Sequence, residues 1–329
     1  MNIAILGAGA WGTAFGIALA NRHAISLWAR DAAQANSIAA ERCNRRYLPD
    51  AILPESIRVS ADLGSVLEGA QLVVAGTPMA GLRPLAKTLK ERAIRVPLIW
   101  LCKGFEVSTG LLSHQVIEGE LEEVLPACGA LSGPSFAIEV AQGLPCALTL
   151  AARDPDFART TAAELHGGYL RVYYTTDIVG VEVGGAVKNV LAIAVGMSDG
   201  MGLGQNARAA LVTRGLAEIK RLGIVLGGSA DTIMGLTGAG DLILTATGSL
   251  SRNRKVGLEL AQGKSLAVIL AALGHVAEGV HSARSVAGLA EQHRVDMPIT
   301  RAVNAVLDGK ATPQAALELL MSRDPKSES

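Results

Sequence analysis

A glycine-rich turn lies near the amino terminus, between a short aliphatic segment and a segment with helical spacing. The aliphatic segment is IAIL at 3–6, the turn is GAGAWG at 7–12, and TAFGIALAN follows. In a G-x-G-x-x-G turn the glycines allow a tight bend, close approach of a pyrophosphate and packing of helix on strand, while the helix N-terminus offers N–H groups to phosphate. The order strand, turn, helix therefore predicts a dinucleotide-binding unit. Its candidate cofactor-binding residues are Gly7, Gly9, Ala10, Trp11 and Gly12.

Short aliphatic runs alternate with helical patterns through the first half of the chain. The predicted strands lie at 3–6, 24–28, around 57–59, 72–76, 97–102, 127–132, 145–150 and 170–175. The predicted helices between them lie at 12–21, 31–42, 79–92, 109–124 and 154–166. Parallel neighbours in a sheet require a crossover connection, which a helix supplies. The alternation therefore predicts an α/β fold with a Rossmann-like, doubly wound and mainly parallel sheet.

From about residue 177 onward, apolar residues recur with helical spacing alone. The predicted helices lie at 178–198, 206–226, 252–272, 277–293 and 298–320. We therefore expect a dinucleotide-binding domain over 1–178, an all-helical substrate-binding domain over 179–322, and a frayed polar tail at 323–329. Because the boundary lacks a polar linker, we expect the two domains to pack closely with the site between them.

The composition argues against several classes of partner and site. Basic and acidic residues number 30 each and aromatic residues make up 3% of the chain, which disfavours a nucleic-acid partner. The apolar runs are interrupted by lysine, or by proline and glycine, so no integral membrane segment is expected. The chain starts without a secretion signal and its four cysteines are scattered, which favours reduced thiols and a cytoplasmic location. The dispersed histidines predict no metal site.

The residues after the second predicted strand bear on which dinucleotide is used. In such folds a carboxylate there holds the ribose 2′-hydroxyl of NAD, whereas an arginine accommodates the 2′-phosphate of NADP. This chain has Arg30 followed by Asp31. Arg30 is placed to meet a 2′-phosphate, or is an ordinary exposed arginine, and Asp31 is placed to cap the next helix. The expected cofactor is NADP or NAD.

Two lysines are candidates for the chemistry. Lys103 follows an apolar strand, at the edge where open α/β sheets bind ligands, although a surface lysine after a strand is also common. Lys188 lies in GGAVKNVLAIAVGM, where a charged side chain is costly unless it is paired or faces a cavity. Burial lowers the pKa of a lysine towards neutrality and suits it to acid/base catalysis. The alternative is a lysine that extends to solvent from a half-buried helix.

Three polar clusters add candidate ligand-binding groups. Asp241 follows the glycine-rich segment 235–240, and Ser251-Arg252-Asn253-Arg254 combines a hydroxyl, guanidinium groups and an amide. An arginine with neutral donors beside it suits a phosphate or a carboxylate, although Ser251 could instead cap a helix. The segment 132–137, SGPSFA, follows a strand and begins a helix, so it is a second donor site or a simple cap.

Several segments, in this order and spacing, resemble the bacterial NAD(P)-dependent sn-glycerol-3-phosphate dehydrogenases over nearly the whole chain. The matching segments are GAGAWGTA at 7–14, LCKGFE at 101–106, LSGPSFAIEVAQGLP at 131–145, VGGAVKNVLAIAVGMSDG at 183–200, NARAALVTRGLAEI at 206–219, GLTGAGDLILT at 235–245, SRNR at 251–254 and VAEGVHS at 276–282. One departure is Gly76-Thr77-Pro78, where the family more often has Val-Pro-Ser or a relative.

The resemblance implies reversible reduction of dihydroxyacetone phosphate to sn-glycerol 3-phosphate with NADPH or NADH, supplying phospholipid synthesis in the cytoplasm, and a possible homodimer. It implies that the proton acceptor is Lys188. The cofactor contacts that it implies are Trp11, Arg30, Lys103, Ala137, Arg252, Val276 and Glu278. The substrate contacts that it implies are Lys103, Gly133, Ser135, Lys188, Asp241, Ser251, Arg252 and Asn253.

Two other functions remain as alternatives from the residues alone. A related enzyme with the same sheet-plus-helices plan could act on a 3-hydroxy acid or a ketopantoate-like substrate, whose carboxylate would take the place of the phosphate. A dinucleotide-sensing or scaffolding module could bind NAD(P) without turnover. Lys188, Asp241 and the Ser251-Arg252-Asn253 segment argue against the second alternative, because a sensor needs no acid/base group.

Overall fold

The computed structural model describes residues 1–122, 126–273 and 277–324. It divides into two compact units. The first comprises Met1–Glu106 and Leu111–Glu182, and the second comprises Val107–Gly110 and Val183–Ser329. In the described residues the first unit contains the strands, and the second contains helices and turns.

The first unit is built on an eight-stranded sheet, counted over the described residues. The strands in chain order are β1 (Asn2–Leu6), β2 (Ala24–Trp28), β3 (Cys43–Asn44), β4 (Leu48–Ile52), β5 (Arg58–Ser60), β6 (Leu72–Ala75), β7 (Leu98–Trp100), β8 (Cys128–Ser132), β9 (Cys146–Ala151) and β10 (Leu170–Thr175). The sheet order is β10-β9-β8-β7-β6-β1-β2-β5, with β3 and β4 forming a separate antiparallel pair. Every pair in the large sheet is parallel except β8 with β9. The predicted fold class is confirmed.

Helices connect the strands of the first unit. They are α1 (Ala10–Leu19), α2 (Ala32–Glu41), α3 (Leu63–Leu67), α4 (Met79–Glu91), α5 (Ser113–Leu121), α6 (Ala137–Ala141) and α7 (Pro155–Leu165). The central strand β1 is covered on both faces: Ile3 and Ile5 join one buried cluster, and Ala4 and Leu6 join the opposite one. Because successive side chains point to opposite faces, a strand buried on both sides becomes a continuous apolar run. The aliphatic run IAIL predicts a strand for this reason.

In its described part the second unit consists of helices and the turns that join them. Its elements are α8 (Ile178–Gly200, whose first residues belong to the first unit), α9 (Gly204–Val225), α10 (Ala230–Met234), a π-helical turn (Leu236–Gly240), α11 (Asp241–Thr247), α12 (Arg252–Ala261), α13 (Leu266–Leu273), α14 (Glu278–Gln292), α15 (Pro298–Leu307) and α16 (Pro313–Met321). The predicted tail begins at 323, and its residues 325–329 lie outside the described residues.

Helix α8 has the length and composition of a membrane span, as does the bent pair formed by 230–247 and 252–261. However, 94% of the most apolar stretch of α8 is buried inside the protein. Burial of this extent is that of a core helix, whose apolar residues face protein on all sides.

A buried carboxylate fixes the start of α8 within the first unit. Glu182 accepts hydrogen bonds from Nε1 of Trp100 at 2.8 Å and from the backbone N–H of His114 at 3.0 Å. Its other oxygen lies 2.5 Å from Nδ1 of His114. A buried charge requires partners of this kind, so Glu182 connects α8 to β7 and α5.

The helix predicted at 252–272 is broken in the structure, so that prediction is wrong. Helix α12 ends where the N–H of Gly263 bonds to the carbonyl of Leu260 and the N–H of Lys264 bonds to the carbonyl of Glu259. Bonds of this type satisfy the last carbonyls of a helix and turn the chain away. The apolar spacing continues into α13 and hides the break from a periodicity argument.

The helix predicted at 298–320 is also broken, and that prediction is wrong for a related reason. Helix α15 closes with a bond from the N–H of Lys310 to the carbonyl of Ala305. Thr312 then caps α16, its hydroxyl accepting from the N–H of Ala315 at 3.1 Å. A threonine before a proline at the first helical turn is a signal for a new helix.

Two further differences concern the first unit. The helix predicted at 109–124 begins only at Ser113, after 107–110, which belong to the second unit, and 123–125 lie outside the described residues. The β3–β4 pair was not predicted, because β3 has two residues and β4 contains Pro49 and Asp50, which are uncommon in strands.

A buried glutamate of α9, whose carboxylate lies at the start of α15, gives a stability prediction. Glu218, on α9, accepts hydrogen bonds from the N–H of Ile299 at 2.6 Å and from the N–H and hydroxyl of Thr300 at 3.0 and 2.8 Å. Replacing Glu218 by alanine leaves two buried N–H groups without their acceptor. We expect the free energy of unfolding to fall by about 3 kcal/mol, measured by urea denaturation. A fall under about 0.5 kcal/mol, as for a surface substitution, would contradict this role.

The pH dependence of the same contact has a defined sign. Burial raises the pKa of Glu218, although the Ile299 and Thr300 donors oppose that rise. A carboxyl group whose pKa is raised by folding contributes stability below its ordinary pKa and loses that contribution as the pH rises through the folded value. Relative to Glu218→Gln, which does not titrate, we expect the wild-type protein to lose unfolding free energy as the pH rises above 4.5, the ordinary pKa of a glutamate.

Candidate functional site

The predicted dinucleotide turn has the backbone geometry that its sequence requires. Gly7 has φ +133°, and its N–H donates to the carbonyl of Trp28 at 3.0 Å. A Cβ at Gly7 would lie 2.6 Å from the carbonyl oxygen of Gly76, and a Cβ at Gly12 would collide with the carbonyl oxygen of Gly7. Only glycine fits at these two positions.

The departure at 76–78 lies directly against this turn. The N–H of Gly76 bonds to the carbonyl of Leu6, and a Cβ at Gly76 would lie 3.0 Å from the carbonyl oxygen of Gly7 and 3.3 Å from Cα of Gly12. Gly76 therefore allows the turn and the end of β6 to pack closely. Gly76 is the first residue of the departure from the family pattern, and its lack of a side chain is compatible with the observed shape of the turn.

Helix α1 begins within the turn, at Ala10, and its amino end is available to a ligand. Gly9 is the residue before the helix, and no side chain in the described residues caps it. A Cβ at Gly9 would meet nothing within 4 Å, so a ligand can approach the backbone there. Unpaired N–H groups and the helix dipole at such an end favour phosphate, so the turn fits the pyrophosphate of a dinucleotide.

Two side-chain amides that the sequence did not indicate hold this turn in place. The carbonyl of Ala8 accepts from Nδ2 of Asn44 at 2.9 Å and from Nε2 of Gln34 at 3.0 Å. Asn44 also donates to the hydroxyl of Thr13 at 2.8 Å, and it is 1% exposed. These contacts join α2 and β3 to the dinucleotide turn. No local sequence signal marks them, since they depend on the fold.

Arg30 and Asp31 have different roles, and Asp31 caps the next helix as the sequence predicted. Asp31 caps α2, its carboxylate accepting from the N–H groups of Ala33 at 2.8 Å and Gln34 at 3.2 Å. Arg30 is exposed at the end of β2. Asp31 is thereby committed to the helix, and Arg30 is the residue of the pair available to a ligand. Trp11 is half-buried in α1, its ring 5.7 Å from that of Phe15.

The structure brings together three predicted substrate residues within the first unit. Nζ of Lys103 donates to the carbonyl of Gly133 at 3.0 Å, and the hydroxyl of Ser135 donates to the same carbonyl at 3.0 Å. Ser135 does not cap α6, because Phe136 is the residue before that helix. Ala137 is the first residue of α6. Lys103, Gly133 and Ser135 thus form one polar cluster after β7 and β8.

Lys188 is paired, as a charge in an apolar helix requires. It is 7% exposed, and Nζ donates to Oδ1 of Asp241 at 2.8 Å and to the hydroxyl of Thr245 at 2.7 Å. Asp241 is 1% exposed and begins α11 directly after the π-helical turn. The alternative prediction, that the side chain of Lys188 extends to solvent, is wrong. Sequence reasoning missed Thr245, which lies one turn after Asp241 on the same face.

The Ser251-Arg252-Asn253 segment forms the first turn of α12. Ser251 caps the helix, its hydroxyl accepting from the N–H of Arg254 at 3.1 Å. Asn253 is buried: its Nδ2 donates to Oδ1 of Asn189 at 2.9 Å, and its Oδ1 accepts from the N–H of Gly279 at 3.0 Å. Arg252 is exposed. The cap reading of Ser251 is correct, and Asn253 places the segment against the residue next to Lys188.

The remaining predicted cofactor residues lie at the start of α14. Glu278 is its first residue and is half-buried, next to Gly279, which bonds to Asn253. Val276 lies outside the described residues. The described residues of the first unit thus hold the dinucleotide turn, Arg30 and the Lys103 cluster. Those of the second hold the Lys188 group, the α12 turn and Glu278.

Two family models match the chain and together span most of its length. Residues 2–158 match "NAD-dependent glycerol-3-phosphate dehydrogenase N-terminus", and residues 177–318 match "NAD-dependent glycerol-3-phosphate dehydrogenase C-terminus". The first match contains the dinucleotide turn and the Lys103 cluster. The second contains Lys188, Asp241 and the α12 turn.

Individual relatives are similar over the whole chain. The glycerol-3-phosphate dehydrogenase [NAD(P)+] of Dechloromonas aromatica is 57% identical, over 100% of this chain and 99% of its own. That of Methylibium petroleiphilum is 58% identical, over 100% and 98%. The crystal structure of a glycerol-3-phosphate dehydrogenase from Coxiella burnetii superposes with a TM-score of 0.92 at 40% identity, covering 98% of each chain. The likeness thus extends to sequence and fold together.

Proposed function

The chain belongs to the NAD-dependent glycerol-3-phosphate dehydrogenase family, and we propose that Lys188 is its acid/base group and Arg252 its principal phosphate contact. It is an oxidoreductase that reduces dihydroxyacetone phosphate to sn-glycerol 3-phosphate with NADPH or NADH. The observation that carries the proposed mechanism is the buried group formed by Lys188, Asp241 and Thr245.

The dinucleotide is held by both the turn and more distant residues in this proposal. When bound, the reduced nicotinamide supplies hydride to C2 of the substrate. The backbone of Gly7, Gly9, Ala10, Trp11 and Gly12 binds the pyrophosphate, since it lies at an uncapped helix N-terminus. The other proposed cofactor contacts are Arg30, Lys103, Ala137, Arg252, Val276 and Glu278.

Lys188 donates the proton in the reduction and accepts it in the reverse reaction. As an ammonium it donates a proton to the oxygen on C2 while negative charge develops there, and in the reverse direction the neutral amine accepts the hydroxyl proton. Asp241 and Thr245 hold Nζ at hydrogen-bond distance on two sides, so the proton is delivered from a fixed position. A fixed donor avoids the cost of reorganisation during the reaction.

The substrate phosphate needs several donors. Arg252 can present a bidentate fork, with Ser251 and Asn253 as neutral donors beside it. Lys103, Gly133, Ser135 and Asp241 bind the rest of the substrate in this proposal. Binding at the phosphate, which does not react, restrains the carbon that does.

The cellular role follows from the product. We propose that the enzyme supplies glycerophosphate for phospholipid synthesis in the cytoplasm, and that it assembles as a homodimer. Cofractionation with cytoplasmic markers and light scattering of the purified protein test the last two statements. Membrane-bound activity or a monomeric mass would contradict them.

A single assay tests the proposed activity against the two alternatives. Purified protein is mixed with NADPH or NADH, and loss of the nicotinamide absorbance is followed after addition of dihydroxyacetone phosphate or, separately, ketopantoate. We expect oxidation with dihydroxyacetone phosphate. Oxidation only with ketopantoate would indicate a carboxylate substrate, and tight binding of NADPH without oxidation would indicate a sensor.

Arg30 is expected to affect the use of NADPH more than the use of NADH. Replacing it by alanine removes the exposed cation at the end of β2. A charged hydrogen bond is worth about 1.5–3 kcal/mol, so we expect the KM for NADPH to rise about tenfold and that for NADH to stay within about twofold. The exposed Arg95, replaced by alanine, is the matched control. Equal changes for the two cofactors would make Arg30 an ordinary surface residue.

A further inference from the structure

Asp199, near the end of α8, binds two arginines. Its side chain is 7% exposed. Oδ1 accepts from Nε of Arg208 at 2.9 Å, and Oδ2 accepts from Nε of Arg254 at 2.8 Å and lies 2.6 Å from Nη2 of the same residue. Arg254 thus meets Oδ2 through two nitrogens, one in a charged hydrogen bond and the other in a close ion pair, and charged contacts of this kind are the strong ones.

Arg254 belongs to the turn that carries the proposed phosphate contacts. Its backbone N–H is the one capped by Ser251, and Arg252 lies two residues before it. The turn is therefore held by Arg254 through both backbone and side chain. Loss of the side-chain bond leaves the Ser251 cap and the hydrogen bonds of Asn253 at this end of α12.

The same turn is fixed to α8 at two well-separated points. Asn253 bonds to Asn189, which follows Lys188, and Arg254 bonds to Asp199. At 1.5 Å per residue, these two points on α8 lie about 15 Å apart. Two anchors at that spacing determine both the position and the angle of the start of α12.

The backbones of α8 and α12 also approach closely between these anchors. A Cβ at Gly257 would collide with the carbonyl oxygen of Ile193 and would lie 2.7 Å from the backbone nitrogen of Met197. Such close packing leaves little freedom along the interface of the two helices. The ion pair between Asp199 and Arg254 then restrains rotation of the first turn of α12.

We propose that Asp199 is a positioning residue, which acts through Arg254 to fix Arg252 at a set distance from Lys188. The inference rests on the proposed phosphate role of Arg252. Lys188 lies on the same helix as Asp199, so the distance between the proton donor and the phosphate contact is transmitted through α8 and α12. A displacement of about 1 Å in such a site can lower the rate about 10²-fold.

The test compares a substrate that has the phosphate with one that lacks it. Asp199→Asn keeps the shape of the side chain and removes its charge, and Arg254→Lys keeps a charge but has one nitrogen in place of the two that contact Oδ2. We expect both variants to lower kcat/KM for dihydroxyacetone phosphate by about 30-fold, while kcat/KM for dihydroxyacetone stays within about twofold. A merely structural role would lower both values together.

A matched control is available in the same unit. Asp308 also binds two cations, Arg284 at 2.6 Å and Lys310 at 3.1 Å, and it lies at the end of α15. Asp308→Asn removes a comparable carboxylate outside the α8–α12 contact. We expect it to leave the ratio of the two kcat/KM values unchanged. A change as large as that of Asp199→Asn would overturn the inference.

Arg252→Ala separates a failure of this inference from a failure of the proposed function. If Arg252→Ala lowers the ratio of kcat/KM values and Asp199→Asn does not, the positioning role of Asp199 is wrong and the phosphate role of Arg252 stands. If Arg252→Ala leaves the ratio unchanged, the phosphate role fails and the inference fails with it. In the Arg252→Ala background we expect Asp199→Asn to change the ratio less than about twofold, because coupled residues are not additive.

Discussion

Replacing Lys188 by methionine is expected to lower kcat for dihydroxyacetone phosphate reduction about 10³-fold, with the dissociation constant of NADPH changed less than about threefold. A positioned acid/base group contributes about 10²–10⁴-fold to a rate. Lys188 is suited to this role because Asp241 and Thr245 hold Nζ at 2.8 and 2.7 Å in a buried site. Stopped-flow turnover and fluorescence titration of NADPH measure the two quantities separately.

The loss of activity must be distinguished from a loss of folding. Lys188→Met leaves the carboxylate of Asp241 buried without its cation, and breaking such a pair costs about 3–5 kcal/mol. The double variant Lys188→Met with Asp241→Asn removes both charges, and we expect it to recover most of the unfolding free energy but none of the turnover. Lys220→Ala, an exposed lysine on α9, is the control for loss of a cation.

Two results would remove Lys188 from the acid/base role. One is a kcat within about tenfold of the wild-type value in Lys188→Met. The other is a double variant that regains both stability and turnover, because the defect of the single variant would then be one of folding. Recovery of stability without turnover shows that the lost activity of the single variant is not a defect of folding.

The glycine turn between β1 and α1 and the pairing of Lys188, both present in the structure, are features encoded by neighbouring residues. The glycines at 7, 9 and 12 were recognised because their spacing follows one strand and opens one helix. Lys188 was recognised because a single charge in an apolar helix needs a partner or a cavity wherever the helix packs. Both rules are local, so neither needs knowledge of the fold.

The features that the sequence did not predict depend on distant residues or on competing local signals. Thr245 lies 57 residues from Lys188 in the chain, and Asn44 lies 36 from Ala8, so only the folded chain brings them together. The sequence pattern does not show the breaks after α12 and α15, because the apolar spacing continues across them while backbone capping bonds end each helix. Periodicity reports which face is buried and is insensitive to such short interruptions.

Arg252→Ala is expected to lower kcat/KM for dihydroxyacetone phosphate about 10²-fold and to leave kcat/KM for dihydroxyacetone within about twofold. Charged hydrogen bonds to phosphate are worth about 1.5–3 kcal/mol, and each 1.4 kcal/mol is tenfold. Lys255→Ala is the matched control, since Lys255 is an exposed cation three residues along the same helix. An unchanged value for dihydroxyacetone phosphate would assign the phosphate to another group.

The hydrogen bonds already made within the α12 turn explain why Arg252 should have the largest effect there. The hydroxyl of Ser251 accepts from the N–H of Arg254, and the amide of Asn253 bonds to Asn189 and Gly279. Ser251→Ala and Asn253→Ala should therefore reduce the unfolding free energy as well as phosphate binding, and reduce kcat/KM for both substrates. Arg252 is exposed, so its replacement should leave stability within about 0.5 kcal/mol of wild type. A phosphate-specific loss confined to Arg252→Ala would separate binding from support within this one turn.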